Sequence, residues 1–267
     1  MRILEDVYLV GSGSFGLSHP TDPHVYLIDG GSELALIDTG SGVKTELIMQ
    51  TVEQEGFSPR DITLLINTHS DCDHARGNYR MKQLTDAKTC IHEIGVPVVQ
   101  EKLWPEIVLT KKGIPSYPVQ VDRVLNDGDV LQVGRHELQV LYTPGHTNDH
   151  IAVVLALRGK RALFCGDLVL GAGAPGIIRL DANLIAWRDS LRRMRDLDPD
   201  ALLCGHNIFT LSRGREHIAQ LVQRFETPWA DIAPGPGPFL PSWWLMRYPE
   251  LIEDAREQPL PRPEPAV

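Results

Sequence analysis

The chain has 267 residues, 42% of them hydrophobic, enough to bury a sizeable core as one large domain with at most a small appendage. Its 35 Asp and Glu against 26 Lys and Arg leave a formal charge of −9 and a pI near 5.5, which weighs against nucleic acid as a partner, because such binding rests on basic side chains displacing counterions. The four cysteines, Cys72, Cys90, Cys165 and Cys204, show neither CxxC pairing nor the density of a secreted disulfide scaffold. No apolar run approaches the roughly 20 residues that span a bilayer, and MRILEDVYLVG lacks a basic region followed by an apolar stretch, so the expectation is a cytoplasmic protein with reduced thiols and no membrane association.

Val25 to Asp38 reads as two short strands, VYLID and LALID, joined by the turn signal Gly30-Gly31-Ser32. Val43 to Glu55 reads as a surface helix stopped by Gly56, and Ile62 to Ile66 as a buried strand. Further sheet is expected from Val130 to Val133 with Leu138 to Tyr142, and from Ile151 to Leu157 with Ala162 to Cys165, separated by Gly-Asp and Arg-Gly-Lys turns. Leu184, Trp187, Leu191 and Met194 fall at helical spacing, as do Ile218, Leu221, Val222 and Phe225. Strands and helices recur in both halves, which points to a layered α/β architecture. After Thr227 the composition shifts to Pro-Gly-Pro-Gly-Pro, PSWWLMRYPE and PLPRPEPAV. The expected organisation is therefore a domain over 1–226 and an aromatic, proline-rich appendage over 227–267, whose Trp229, Phe239, Trp243 and Trp244 are too apolar to be left in water.

The strand ending at Ile66 runs into His69-Ser70-Asp71-Cys72-Asp73-His74, which places four metal-ligating side chains within six residues. Three more candidates each end an apolar run and follow a glycine: His146 in Tyr142-Thr143-Pro144-Gly145-His146-Thr147, Asp167 in Phe164-Cys165-Gly166-Asp167, and His206 in Leu202-Leu203-Cys204-Gly205-His206. A glycine there lets the backbone turn sharply and approach a site closely.

This pattern resembles the metallo-β-lactamase superfamily, and glyoxalase II-like hydrolases within it, whose hallmark is a His-x-His-x-Asp-His loop followed by TPGHT, GD and GH motifs. The resemblance covers Val25 to His206. It implies an αββα sandwich, two mixed sheets flanked by helices. It also implies two divalent metal ions, with His69, Asp71 and His146 on one, Asp73, His74 and His206 on the other, and Asp167 bridging. Asp38, before Thr39-Gly40, matches the aspartate that supports the ligands from behind. Cys72 falls between ligand positions and is expected to point away.

One position departs from the hallmark: Asp71 stands where a second histidine is usual. The third carboxylate adds a hard oxygen donor, which tilts preference toward iron or manganese, although geometry and supply can override ligand softness and zinc stays the first expectation. The function implied is hydrolysis of a small ester, thioester, lactone or phosphoester by a metal-bridging hydroxide, with Asp73 as the catalytic residue passing a proton. A di-iron redox or oxygen-dependent enzyme of the flavodiiron type and a non-catalytic metal-binding protein are the alternatives. A small molecule is the expected partner, and a homodimer is left open. His24, His92 and His150 read as structural histidines, Arg76 and Arg80 as a solvated or salt-bridged face, and Glu101 to Gln120, with Trp104, Lys111, Lys112 and Tyr117, as the seat of specificity.

Overall fold

The computed structural model describes residues 1–101, 116–179 and 181–226. A first sheet of seven strands runs in sequence order, β1 (Arg2–Leu4), β2 (Val7–Gly11), β3 (Val25–Asp29), β4 (Leu34–Ile37), β5 (Ile62–Ile66), β6 (Lys88–His92) and β7 (Arg123–Leu125). Its first four strands pair antiparallel, whereas β4 to β7 pair parallel. A second sheet of five strands has the order β12 (Ala201–Cys204), β11 (Lys160–Gly166), β10 (Ile151–Leu157), β9 (His136–Tyr142) and β8 (Val130–Val133), with β11 and β12 alone parallel.

The period-2 alternation of these strands sorts side chains between a central layer and two outer ones. Tyr26, Ile28, Ile37 and Ile66 of the first sheet meet Val153, Leu155, Ala162, Phe164 and Leu203 of the second in one buried cluster. The intervening residues face outward. Leu27, Leu36 and Leu65 pack under α1 (Thr45–Gln54) and α3 (Asn78–Thr85), and Ala152, Leu163 and Leu202 pack under α5 (Leu184–Asp196) and α6 (Gly214–Glu226). The layers are thus helix, sheet, sheet, helix, as the resemblance implies. Two short helices, α2 (Cys72–Ala75) and α4 (Val96–Glu101), complete the elements used below.

Residues Met1–Glu226 form one compact unit; the expected appendage over 227–267 lies outside the described residues, as do Trp104, Lys111 and Lys112. Among the described residues, no helix is long and apolar enough to cross a membrane. Two readings need correction. The Gly128-Asp129 turn precedes β8 instead of joining it to β9, where Gly134 with φ 52° makes the reversal. The surface helix begins at Thr45, two residues later than the charge pattern suggests, because the Lys44 backbone, at φ −141° and ψ 59°, is not helical.

Phe164 sits fully buried at the centre, its ring edge-on to Tyr26 across the two sheets at 5.4 Å between centroids. Phe164→Ala is expected to cost about 3–5 kcal/mol, read as a fall in the urea unfolding midpoint with an unchanged slope.

Candidate metal centre

Five strand ends deliver the chemistry to one edge of the sandwich. β4 leads to Asp38, β5 to His69 through His74, β9 to His146, β11 to Asp167 and β12 to His206. The anchor is Asp38. Its carboxylate accepts hydrogen bonds from the Thr68 amide at 2.8 Å, the Thr68 hydroxyl at 2.9 Å and His74 Nδ1 at 2.8 Å. Those bonds hold Asp38 in the left-handed region, at φ 61°, which costs a non-glycine residue free energy and persists only where surroundings over-determine it.

The structure brings all seven predicted donors together. His69, Asp71 and His146 form one group and Asp73, His74 and His206 a second, the ligand atoms within each lying no more than 4.8 Å apart. Asp71 Oδ2 lies 3.6 Å from His69 Nε2 and 3.3 Å from His146 Nε2. Asp73 Oδ2 lies 3.2 Å from His206 Nε2, which in turn is 3.2 Å from His74 Nε2. Asp167 reaches both groups, at 3.4 Å from His74, 3.5 Å from His206 and 3.8 Å from His146.

The inner nitrogens are aimed from behind. His74 Nδ1 donates to Asp38, His146 Nδ1 donates to the Ile177 carbonyl at 2.9 Å, and His69 Nδ1 pairs with the Thr68 hydroxyl at 3.0 Å, which itself donates to Asp38. Fixing Nδ1–H in this way leaves each Nε2 lone pair facing inward, the arrangement metal-binding histidines use. His69 Nε2 and Asp167 Oδ1 are buried with no hydrogen-bond partner, a cost that protein interiors avoid unless another group satisfies them. Close backbone approach explains two of the glycines. A Cβ at Gly205 would press into Asp167 Oδ1 and His74 Cε1, and one at Gly166, where φ is 46°, into His150 and Thr68. The third, Gly145, instead clears space for Trp187 of α5.

Without metal the cluster is a set of paired charges. Burial lowers the proton affinity of His74, but Asp38, Asp167 and Asp73 outweigh it and raise its pKa well above the usual imidazole value. His146 and His206 are raised against the same opposition, chiefly by Asp71 and Asp167 respectively. Burial pushes Asp167 and Asp71 up, yet their histidines hold both well below the carboxylate range.

The remaining histidines do not join the donors. His24 bonds Ser12 and the Asn207 carbonyl, both at 2.9 Å, and burial lowers its pKa to about 4. His92 stacks on Tyr142 at 4.3 Å. His150 is fully buried behind His69, their ring centroids 5.3 Å apart, with Nδ1 bonded to Thr143 and Nε2 unpartnered. Cys72 belongs to none of the donor groups, and burial pushes its thiol up to about 12. Arg80 makes its expected exposed pair with Glu46 at 2.8 Å. Arg76 does not form a solvated face: it is 4% exposed, with Nε donating to the Ser41 carbonyl at 2.7 Å and both terminal nitrogens buried without a partner. It caps the C-terminal end of α2 and ties that end to the segment after β4 through Ser41.

Sequence reasoning missed Arg179. Its Nη1 donates to Asp71 Oδ1, while Nε and Nη2 grip both oxygens of Asp181 at 2.8 and 2.9 Å. The surplus carboxylate at position 71 was the available signal, since a buried anion calls for a cation, but nothing in the spacing says which of the chain's arginines supplies it.

A family model described as the metallo-beta-lactamase superfamily matches residues 20–206. The chain belongs to the metallo-β-lactamase superfamily. Within it, the chain is 32% identical to a hydroxyacylglutathione hydrolase of Rhodospirillum rubrum, covering 70% of this chain and 62% of that one. It is 27% identical to an atrochrysone carboxyl ACP thioesterase of Cryptosporiopsis, covering 76% and 54%. The chain thus spans less than two thirds of the length of these relatives. Among solved structures, a B3 metallo-β-lactamase with an active-site glutamic acid is 25% identical with a TM-score of 0.62, covering 82% of this chain and 86% of that one. A metallo-β-lactamase of Cronobacter sakazakii shares the fold, with a TM-score of 0.66 at 20% identity over 97% and 98% of the two chains. The superfamily's divalent-metal chemistry fits the residues present: imidazoles and carboxylates converge, and two of their inward atoms are buried without a hydrogen bond.

These charge pairs set the pH dependence of the metal-free superfamily fold. The raised histidines contribute stability that is fully present below about 6.5 and lost as pH rises through their folded values. The depressed aspartates contribute stability present above about 3.9 and lost as pH falls through theirs. In chelator, Tm should therefore decline as pH rises above about 6.5, and in excess zinc the trend should reverse, since metal binds the deprotonated imidazoles. Differential scanning fluorimetry across that range reads both slopes.

Proposed function

We propose that the protein is a dinuclear-metal-dependent hydrolase of small acyl esters, with thioesters as the leading substrate class. The observation that carries this reading is the convergence of seven donors in which Asp167 lies against histidines of both groups while its Oδ1 is buried without a hydrogen bond. The names of two relatives, a hydroxyacylglutathione hydrolase and an acyl-carrier thioesterase, favour a thioester over a lactone or phosphoester.

His69, Asp71 and His146 would hold one ion, Asp73, His74 and His206 the other, and Asp167 would span them. Zinc is the first expectation, with iron or manganese as the alternatives. When bound, a pair of divalent ions supplies an acidified water and a Lewis-acid pull on the scissile carbonyl. The protein's own part is positional. Asp38 and Thr68 fix the imidazoles, and buried His150 stacks behind His69 as a neutral ring, its pKa driven well down by burial and the neighbouring histidines. Asp73, 22% exposed at its side chain, is the carboxylate of its group suited to carry a proton toward a leaving thiol or alcohol.

The test is turnover of a panel of acyl thioesters, esters, lactones and phosphodiesters by zinc- and iron-loaded protein. Thioester cleavage is expected, abolished by chelator and restored by metal, with Asp167→Ala lowering both metal content and kcat/KM by about a hundredfold or more, above the loss from disturbing a ligand's supporting bond. Absence of turnover across the panel, with metal content unchanged in Asp167→Ala, would overturn the proposal. A coloured, iron-loaded protein that consumed oxygen instead would point to the redox alternative.

A further inference from the structure

Asp71 sits where the superfamily's hallmark has histidine, and its two oxygens do different things. Oδ2 faces His69 Nε2 and His146 Nε2 at 3.6 and 3.3 Å, whereas Oδ1 is taken by Arg179 Nη1. The guanidinium is not free to leave. Asp181 holds its Nε and Nη2 in a two-pronged bond, a geometry that fixes orientation as well as charge. Asp181 is 62% exposed at its side chain, so its own charge is screened, while the Arg179 and Asp71 side chains are both about three-quarters buried.

The charge count gives this arrangement a purpose. Asp71, Asp73 and Asp167 bring three negative charges to the donor cluster, and Arg179 cancels one. Two net negative charges remain, the number the same donor cluster, with Asp73 and Asp167, would carry with a histidine at position 71.

We infer that Arg179, positioned by Asp181, converts Asp71 into a one-oxygen, charge-compensated substitute for a histidine ligand. The third carboxylate therefore does not harden the site as its sequence suggests. With one oxygen occupied, Asp71 cannot grip an ion through both, and with its charge offset it loses much of the carboxylate's added attraction for hard cations. Arg179 is a positioning residue, acting on the metal site through Asp71. Arginine suits the role because its planar fork serves two carboxylates at once, which a lysine ammonium cannot do with fixed direction.

This inference rests on the two-metal reading, and metal affinity tests each separately. Metal-stripped full-length protein would be titrated with Zn²⁺ and with Mn²⁺ against a chromophoric chelator, for wild type, Arg179→Met, Asp181→Asn, Asp71→His and Asp71→His with Arg179→Met. Arg179→Met should strengthen both ions and, by freeing Asp71 Oδ1 so that the carboxylate can grip an ion through both oxygens, raise the Mn²⁺ to Zn²⁺ affinity ratio by roughly tenfold, the lower end of what loss of a ligand's supporting partner does to metal affinity. Asp181→Asn should move the ratio the same way by less; being exposed, it carries the test if Arg179→Met does not fold. On the Asp71→His background, removing Arg179 should strengthen both ions alike and leave the ratio unchanged. A ratio unmoved by Arg179→Met and Asp181→Asn, or moved equally on the histidine background, would overturn the inference while leaving the two-metal reading intact. Wild-type protein that bound neither ion would overturn both.

Discussion

The Asp38 carboxylate is the point on which the site depends. It lies just past β4, receives the backbone and hydroxyl of Thr68 at the end of β5, and receives His74 from α2. Parallel pairing of β4 with β5 brings those two strand ends side by side, and a carboxylate there is satisfied by donors that would otherwise be stranded in a buried edge. Through Thr68 the same group sets His69, so one anion orients an imidazole of each donor group. The left-handed backbone at Asp38 is the local cost of that convergence.

Charge balance is the second constraint. Three carboxylates and four imidazoles pack at one edge, and without metal the carboxylates raise the pKa values of His74, His146 and His206 while the imidazoles hold Asp71, Asp73 and Asp167 low. Arg179 contributes to that balance from outside the motif, and it changes how Asp71 is understood. A residue that in the sequence argues for a harder metal becomes, with its partner in view, half of a neutral pair.

Much of the fold was legible because its strands alternate cleanly and its helices present single apolar stripes. VYLID and LALID, the Trp187, Leu191 and Met194 stripe, and the run before Asp167 each fell where periodicity placed them. The edge strands β1 and β7 were not legible, being only three residues long and partly exposed. Neither was β6, whose Lys88 and Thr89 mask a strand buried at four of five positions. At the site, the donors were visible through motif and spacing. Arg179, Thr68 and the buried Arg76 were not, because each acts through a contact between segments remote in sequence, 108 residues apart for Arg179 and Asp71.

If seven side chains, with Asp71 among them, hold two metals, both ions should be visible at one edge of the sandwich. Anomalous diffraction at the zinc, iron and manganese edges, from crystals of the purified protein, tests it most directly. The expected result is two ions per chain, one among His69, Asp71 and His146 and one among Asp73, His74 and His206, with Asp167 between them and Asp71 bound through a single oxygen. A single ion, or two ions with Asp71 turned away from both, would contradict it.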